Sequence, residues 1–401
     1  MWNFDSAIHQ LLCMHNISTP SIKKKRILIN VPNLLVKGGV TNYFNALRLP
    51  EYGNIDYFYV NRQQEGGWWS KGTFLFLLYL KFLWKVRKYD LIHLNVSFNF
   101  KSYYRDMGFI WLLRLFRKKY VVFFHGWDTN FERKVAENRW QRKLFGSTYG
   151  KMDSCIVLGT IYIEKLKSLG VHENCNFHLE TTVADDTYIN EINVSDKLKP
   201  HDTINVLFLA RILKQKGVYI ALNAFQELQQ RINSHEGPAI TLNIAGDGPE
   251  LEKVKAYVRE NEIANVIFSG YVQGRQKHEV LSSSHILLFP TYYPEGQPCV
   301  NLEAMLYGMP VITRAIAGVP DLLEHGHHGL LTKDVETGVF TDFLEQLVLD
   351  QELRQKMGRG NHQRALQEFV PSKVVPRILS IYEKAMSEDS VSLNAVPALS
   401  A

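Results

Sequence analysis

Residues 293–310 read YPEGQPCVNLEAMLYGMP and place two carboxylates, Glu295 and Glu303, eight positions apart. An apolar strand is predicted just before them, over residues 286–290, and a helix over residues 300–307. Glu295 is therefore expected in a loop at the carboxyl end of a strand, and Glu303 in the first turns of the next helix. Open α/β sheets bind ligands at this position, and helix starts favour phosphate.

The rest of the chain alternates short apolar strands with helical segments. This alternation predicts parallel, doubly wound sheets, and 401 residues are enough for two domains. The polar, irregular segment 189–203 is the expected boundary between them. Strands are predicted over residues 26–31, 55–60, 90–95, 120–125, 153–158, 204–210, 240–245, 266–270, 286–290 and 310–313.

Composition limits the class of protein. Apolar residues make up 46% of the chain and charged residues 21%, which is typical of a globular protein. Residues 1–195 hold 26 Lys and Arg against 16 Asp and Glu, a charge of +10, and residues 196–401 hold 20 against 24, a charge of −4; the sum is the net +6. A basic first half indicates attraction to anionic lipid or phosphate. No nucleic-acid partner is expected.

Cysteine usage and the chain start indicate a cytoplasmic protein. The first fifteen residues have no basic region and include Asp5, so no secretory signal is predicted. The most apolar stretch, residues 72–80, is far shorter than the roughly 20 residues that cross a bilayer. The four cysteines show no metal-binding spacing and are expected to be reduced thiols: Cys13, Cys155, Cys175 and Cys299.

The first predicted strand opens into a loop that contains Gly38 and Gly39. Thr41 is expected to cap a helix over residues 42–47. Glycines at this position let a backbone approach a ligand without a Cβ in the way. A plain tight turn explains the same residues equally well.

Two helical segments of the first half combine aromatic and basic residues. They are predicted over residues 68–88 and 108–119, the second reading GFIWLLRLFRKK. Both suit a membrane surface, with aromatic side chains inserted and cations at the headgroups. They equally suit core helices whose basic side chains reach solvent.

In the second half, Arg211 and Lys216 lie five positions apart, after a predicted strand. An Arg offers a forked pair of donors and a Lys a compact charge, so both suit one diphosphate. Two fixed cations stabilise a departing diphosphate without a metal, and the chain contains no Asp-x-Asp. Two solvated turn residues are the alternative. The histidines of HGHHG, residues 325–329, have no combined acid–cysteine partner nearby, and no metal site is expected.

Taken together, these motifs resemble the E-x7-E retaining glycosyltransferases of the GT-B fold, closest to glycosyltransferase family 4. The resemblance rests on the two glutamates, the glycine loop, ARILKQKG at residues 210–217 and GDGPE at residues 246–250. It covers nearly the whole chain and is strongest over residues 205–332. Residues 181–185 read TTVAD where the family often has Pro-Asn-Gly-x-Asp, which weakens any assignment there. Residues 317–321 read AGVPD where Gly-Gly-x-Pro-Glu is more frequent.

The resemblance implies an α/β protein with two Rossmann-like domains facing across a cleft. An acceptor-binding domain is expected over residues 1–195 and a nucleotide-sugar-binding domain over residues 203–372. A helix over residues 373–386 is expected to cross back to the first domain. The tail, residues 387–401, is expected to be disordered.

It also implies roles for individual residues. Those matching Arg211 and Lys216 hold the diphosphate, the residue matching Glu303 holds ribose hydroxyls, and that matching Glu295 touches sugar hydroxyls. The expected catalytic residues are His125, which follows a predicted strand and would contact the transferred sugar, Arg211, Lys216 and Glu295. The expected nucleotide-sugar-binding residues are Gly39, Arg211, Lys216, Gly246, Val272, Glu295, Gly296, Gln297, Pro298 and Glu303.

The implied reaction is retaining transfer of a sugar to a hydroxyl of a glycan or lipid-linked acceptor, in polysaccharide biosynthesis. A UDP-sugar is the favoured donor, with a GDP-sugar as the alternative, and no metal or cofactor is expected. The basic, aromatic helices would place the protein peripherally on the inner face of the cytoplasmic membrane. Two other functions stay open: a nucleotide-sugar epimerase of the same fold, and a membrane-surface binding module without catalysis.

Overall fold

The structure is a computed structural model that describes residues 25–36, 38–61, 68–232, 237–293 and 295–387, without the side chains of residues 68–71. The expectations for the first 24 residues, including Cys13, and for the tail from residue 388 lie outside the described residues.

Within the described residues, the chain forms two six-stranded sheets that are parallel throughout. The strand order is β2-β1-β3-β4-β5-β6 in the first and β12-β11-β10-β7-β8-β9 in the second. The strands are β1 Ile27–Val31, β2 Ile55–Tyr59, β3 Leu91–Phe98, β4 Lys119–Trp127, β5 Ser154–Val157, β6 Asn176–Leu179, β7 Thr203–Leu209, β8 Ala239–Ala245, β9 Val266–Gly270, β10 Ile286–Phe289, β11 Val311–Arg314 and β12 Gly329–Thr332.

Helices cover both sheets, as parallel strands joined by crossovers require. The α-helices are α1 Gly39–Leu47, α2 Trp68–Val86, α3 Phe100–Leu115, α4 Thr129–Glu137, α5 Arg139–Ser147, α6 Thr160–Leu169, α7 Val194–Lys197, α8 Val218–Ile232, α9 Leu251–Glu260, α10 Gly274–Ser283, α11 Cys299–Leu306, α12 Val319–Leu322, α13 Thr337–Leu349, α14 Gln351–Glu368 and α15 Pro371–Ser387. Short 3-10 turns span Leu49–Tyr52, Tyr149–Lys151, Ile189–Glu191 and Lys214–Lys216.

The central strands are buried on both faces and read as continuous apolar runs. β10 is Ile-Leu-Leu-Phe with every residue buried, and β1 is Ile-Leu-Ile-Asn-Val, also fully buried. The second sheet has its own apolar core, while two clusters cover the two faces of the first. The expected fold class, two Rossmann-like domains in a GT-B arrangement, is confirmed.

The last helix, α15, packs against the first sheet although it follows the second in sequence. Val374, Ile378 and Tyr382 belong to the same apolar cluster as β1. Arg377 forms an ion pair with the buried Glu180, 3.0 Å from Nη2 to Oε2, just after β6. The last described helix therefore packs on the domain that contains the first described strand.

Several predicted bounds were wrong. Helix α1 begins at Gly39 with Gly38 as its N-cap, so Thr41 is a buried residue inside the helix and not its cap. Helix α3 begins eight residues before the prediction, because Asn99 Oδ1 accepts from the backbone N of Ser102 and caps it. Strand β6 was not predicted, since its sequence, Asn-Phe-His-Leu, lacks an apolar run.

Candidate active site

Glu295 and Lys216 meet at the carboxyl edge of the second sheet. Glu295 lies in the loop after β10, and Lys216 ends the 3-10 turn after the neighbouring strand β7. Lys216 Nζ is 2.5 Å from Glu295 Oε1, and the two side chains are 13% and 20% exposed. Thr291 Oγ1 donates to the same carboxylate oxygen at 3.4 Å. Both side chains of the pair are therefore mostly shielded from water.

The backbone around Lys216 is fixed by a close contact between the two loops. Gly217 has φ +85°, and a Cβ built there would lie 2.2 Å from the carbonyl oxygen of Pro290. The backbone N of Tyr292 donates to the carbonyl of Gln215 at 2.9 Å. Only glycine fits this position. Gly217 therefore allows the turn that ends at Lys216 to pack closely against the loop that carries Glu295.

Gly296 brings the glutamate loop against the first domain. A Cβ at Gly296 would lie 2.4 Å from the carbonyl oxygen of His125. The hydroxyl of Tyr162, on α6, donates to the carbonyl of Glu295 at 2.8 Å. The backbone N of Gly318 donates to the Gly296 carbonyl at 3.0 Å. The glutamate loop therefore contacts the first domain at His125 and at Tyr162.

Gln297 makes a second link between the domains. Its Oε1 accepts from the backbone N of Thr182 at 2.7 Å and from Thr182 Oγ1 at 3.2 Å. Thr182 belongs to the segment whose sequence departs from the family pattern. The structure nevertheless places this segment against the glutamate loop, which holds Gln297 in place.

Glu303 lies in α11 with 6% of its surface exposed. Its Oε1 forms an ion pair with Nζ of Lys277 on α10. Burial opposes the charge of Lys277, but the Glu303 carboxylate raises its pKa above the ordinary value. Sequence reasoning missed Lys277, because a lysine on an amphipathic helix has no distinguishing signal.

His125 lies inside β4 at a β-bulge, not at the predicted strand end. Val96 is opposite Phe124 and Ser97 is opposite Gly126, so His125 has no partner in the register. Bulges next to active sites redirect a side chain. His125 Nε2 donates to Asn95 Oδ1 at 2.8 Å, and His93 Nε2 to the same oxygen at 3.1 Å.

Burial, reinforced by His93, holds the pKa of His125 well below its usual range. The imidazole is therefore neutral near neutral pH. It can donate or accept a hydrogen bond, but it has no positive charge with which to stabilise a diphosphate.

The remaining predicted residues lie around this centre. Arg211 is exposed and has no hydrogen bond or ion pair within the described residues, so the structure does not bring it into the Lys216–Glu295 pair. Gly246 has φ +148° and a Cβ there would be 1.8 Å from the Ala210 carbonyl oxygen, so its role is close backbone packing. Val272 is buried just after β9, and Pro298 is the N-cap of α11.

Gly39 lines a pocket of about 260 Å³ in the first domain, at the carboxyl edge of β1 and β3. His125 lines the same pocket. Because Gly296 packs on the backbone of His125, this pocket adjoins the glutamate loop.

Cys299 lies between the two glutamates in sequence, but its thiol is not expected to act as a nucleophile. Burial, with Glu303 nearby, raises the pKa of its thiol to about 12, so the thiolate is scarcely populated.

Metal-ligand clusters of three or more His, Cys, Asp or Glu side chains are absent from the described part of the chain. His325 Nδ1 accepts from the backbone N of Leu331, and His328 Nδ1 from that of Glu324. Both histidines therefore fix the turn before β12. None of the described helices combines the length and apolar character needed to cross a membrane.

A family model, curated relatives and solved structures are similar to this chain. A model of the family described as "Glycosyl transferases group 1" matches residues 190–364. A Klebsiella pneumoniae protein described as an uncharacterized 41.2 kDa protein in the cps region is 29% identical over 64% of this chain and 68% of its own length. A putative colanic acid biosynthesis glycosyltransferase, WcaL of Salmonella typhimurium, is 24% identical over 55% of this chain and 53% of its own. The chain thus spans only about half to two thirds of these relatives.

Among solved structures, Anabaena HepE in complex with UDP and glucose is similar to this chain with a TM-score of 0.67 and 16% identity. The similarity covers 90% of this chain and all of that one. The shared architecture is the GT-B fold. The family match and the relatives support a glycosyltransferase with this fold.

Proposed function

We propose that this chain is a retaining glycosyltransferase, of family 4, that moves a sugar from a nucleoside diphosphate sugar to a hydroxyl of its acceptor. The observation that carries the proposal is the Lys216–Glu295 pair, 2.5 Å apart in the cleft at the carboxyl edge of β7 and β10. A cation and an acid at this edge suit a diphosphate and a sugar hydroxyl, respectively. A UDP-sugar is the favoured donor.

In the proposed reaction, the bond from the anomeric carbon to the diphosphate oxygen breaks while the acceptor oxygen bonds to the same face of the sugar. The acceptor proton passes to the departing phosphate oxygen. Lys216 stabilises the charge that develops on the diphosphate, and Arg211 joins it when the donor is bound. Glu295 holds sugar hydroxyls, Glu303 the ribose, and neutral His125 a hydroxyl of the transferred sugar. This proposal includes no metal step.

The domain division belongs to the same proposal: acceptor binding by residues 1–195, donor binding by residues 203–372 and a returning helix over residues 373–386. Separate apolar cores for the two sheets support it. A role in polysaccharide biosynthesis is supported by the colanic acid relative.

A thermal-shift screen of UDP, GDP, ADP and their sugars tests the proposal, because a bound ligand stabilises the folded state. We expect UDP to raise the melting temperature and a UDP-sugar to support transfer. Incubation with the donor alone distinguishes an epimerase, which would form a new nucleotide sugar without any acceptor. If no nucleoside diphosphate raises the melting temperature, the proposal is wrong.

We also propose that the first domain works at an anionic membrane surface. On α2, Phe76 and Trp84 are 63% and 66% exposed, and on α3 Trp111 is 55% exposed. Exposed aromatic side chains beside cations such as Lys88, whose Nζ lies 4.5 Å from the Trp84 ring centroid, suit a headgroup region.

Flotation with vesicles tests this surface. We expect the protein to float with vesicles of phosphatidylglycerol and not with neutral phosphatidylcholine, and the double substitution Phe76→Ser/Trp84→Ser to abolish flotation. Trp140→Ser is the matched control, since Trp140 is 80% exposed on a different helix, α5. Equal behaviour of the two vesicle types would contradict the proposal.

A further inference from the structure

The described lining of the pocket in the first domain combines one arginine with neutral polar side chains. Its volume is about 260 Å³, and its lining includes Asn30, Gly39, Ser102, Arg105 and His125. None of its described lining residues is Asp or Glu. A ligand for such a pocket has to supply acceptor atoms.

Among the described residues that line this pocket, Arg105 is the cation, and a buried acid holds it in position. Its Nε donates to Asp106 Oδ1 at 2.7 Å and its Nη2 to Oδ2 at 2.9 Å, a bidentate pair. Asp106 is fully buried, whereas the Arg105 side chain is 20% exposed. A ligand in the pocket therefore meets the guanidinium and not the carboxylate. Within the described residues, Nη1 has no hydrogen bond, so two N–H groups are available.

Asn30 points to the same kind of ligand independently. It lines the pocket with only 1% of its surface exposed. Its Oδ1 accepts from the backbone N of Asn95. Its Nδ2 is buried and has no partner among the described residues. A buried donor without an acceptor is unfavourable, and a ligand oxygen in the pocket would satisfy it.

The first turn of α1 adds donors on the same side. Gly38 caps this helix without a side-chain hydrogen bond, and the first turn has no acidic residue. Its free backbone N–H groups favour negative charge.

We propose that this pocket binds an anionic group of the sugar acceptor, a carboxylate or a phosphate, through Arg105 Nη1 with Asn30 Nδ2 as a second donor. The inference rests on the proposed function and specifies its acceptor: a charged sugar or sugar phosphate, not a neutral one. Because His125 lines the pocket and its backbone packs on Gly296, an acceptor anchored here lies next to the glutamate loop.

Calorimetric titration of the full chain in saturating UDP tests the inference, since UDP fills the diphosphate site and keeps anions out of it. The probes are methyl β-D-glucuronide, glucose 6-phosphate and neutral methyl β-D-glucoside. The test variant is Arg105→Gln/Asp106→Asn, because removing only one partner would leave a buried charge unpaired. Arg133→Gln is the matched control, an exposed arginine on α4 bonded to Asn130.

We expect at least one anionic probe to bind about tenfold or more tightly than the neutral glucoside, as hydrogen bonds to a charged group allow. The double variant should lose this preference and the control keep it. Preference for the glucuronide or for the phosphate identifies the anionic group. Equal binding of all three probes, binding of none, or a preference that survives in the double variant overturns the inference. Failure of UDP to bind, and of GDP and ADP tested in its place, refutes the proposed function instead, and is measured in the same experiment.

Discussion

Lys216 Nζ and Glu295 Oε1 lie 2.5 Å apart, so the lysine predicted to hold a diphosphate is neutralised by the glutamate predicted to hold the sugar. The two residues are 79 positions apart in sequence. A donor that binds here has to compete with this ion pair or share it. Because both side chains are mostly shielded, their interaction is stronger than that of a surface ion pair.

Substitution of Lys216 by Ala should abolish stabilisation by UDP and reduce transfer by about 10²- to 10³-fold, since a donor to the departing diphosphate is lost. Melting temperatures with and without UDP measure the loss of stabilisation, and initial rates of transfer measure the loss of activity. Lys214→Ala is the control, because Lys214 is an exposed residue of the same turn. Normal stabilisation of the Lys216 variant by UDP would show that the lysine serves only Glu295.

Substitution of Arg211 by Ala should separate stability from activity. Arg211 is exposed and has no partner within the described residues, so the free energy of unfolding should change by less than about 0.5 kcal/mol. Turnover should fall by about 10²- to 10³-fold if the guanidinium joins the diphosphate. Urea unfolding and initial rates provide the two measurements, with Arg259→Ala on α9 as control. Unchanged turnover would remove Arg211 from the site.

Gly296→Ala should force the glutamate loop away from the first domain, because the new Cβ would lie 2.4 Å from the His125 carbonyl oxygen. We expect a loss of at least about 1 kcal/mol in the free energy of unfolding, as for an overpacked contact, and reduced transfer. Gly360→Ala is the matched control. Gly360 lies inside α14 with open space around it, so alanine there should stabilise by about 0.5–1 kcal/mol. Wild-type behaviour of Gly296→Ala would mean that the contact is not required.

Acid should destabilise the fold through its buried histidines. Burial, with His201 nearby, lowers the pKa of His285 to about 3, and its Nδ1 accepts from the backbone N of Asn205 at 2.9 Å. Below the ordinary pKa of about 6.5 the unfolded chain takes up a proton that the folded chain refuses, so stability falls from there towards pH 3.

His285→Asn tests this, because Asn Oδ1 can still accept from Asn205 while no longer titrating. Between pH 6.5 and 4.5 the free energy of unfolding should fall less steeply in the variant, by up to about 1.4 kcal/mol per pH unit. Urea unfolding at pH 8, where His285 is neutral in the folded and unfolded chain, gives the difference in free energy of unfolding between the two proteins that does not depend on protonation. The same slope in both proteins would assign the acid sensitivity to other groups, such as His93, whose burial also lowers its pKa to about 3.

Local sequence pattern was sufficient for most of the fold. Apolar runs such as β10 and glycines after helices, such as Gly308 with φ +68°, are signals contained within ten residues. The bounds that failed depended on side-chain contacts that such patterns do not contain. The cap on α3 comes from Asn99, and β6 pairs beside β5 with a sequence that is not apolar.

The candidate site was only partly predictable. Glu295 was predicted from its spacing to Glu303, and Lys216 from its spacing to Arg211. Glu295 and Lys216 lie together in the structure. Lys277, which pairs with Glu303, was missed because a lysine on an amphipathic helix has no distinguishing signal. Arg105 was also missed, because its role depends on the pocket that it lines, and the sequence does not show that pocket.

By itself, the sequence determined two parallel α/β sheets and the loops that carry the glutamates and cations, because apolar periodicity and glycine positions act over a few residues. The tertiary structure alone decided which charges meet, that His125 bulges from its strand and stays neutral, and that Gly296 touches the opposite domain. These features depend on burial and on distances of a few ångströms between residues that are remote along the chain. Such contacts arise only when each domain has folded and, for Gly296, when the two domains lie in contact.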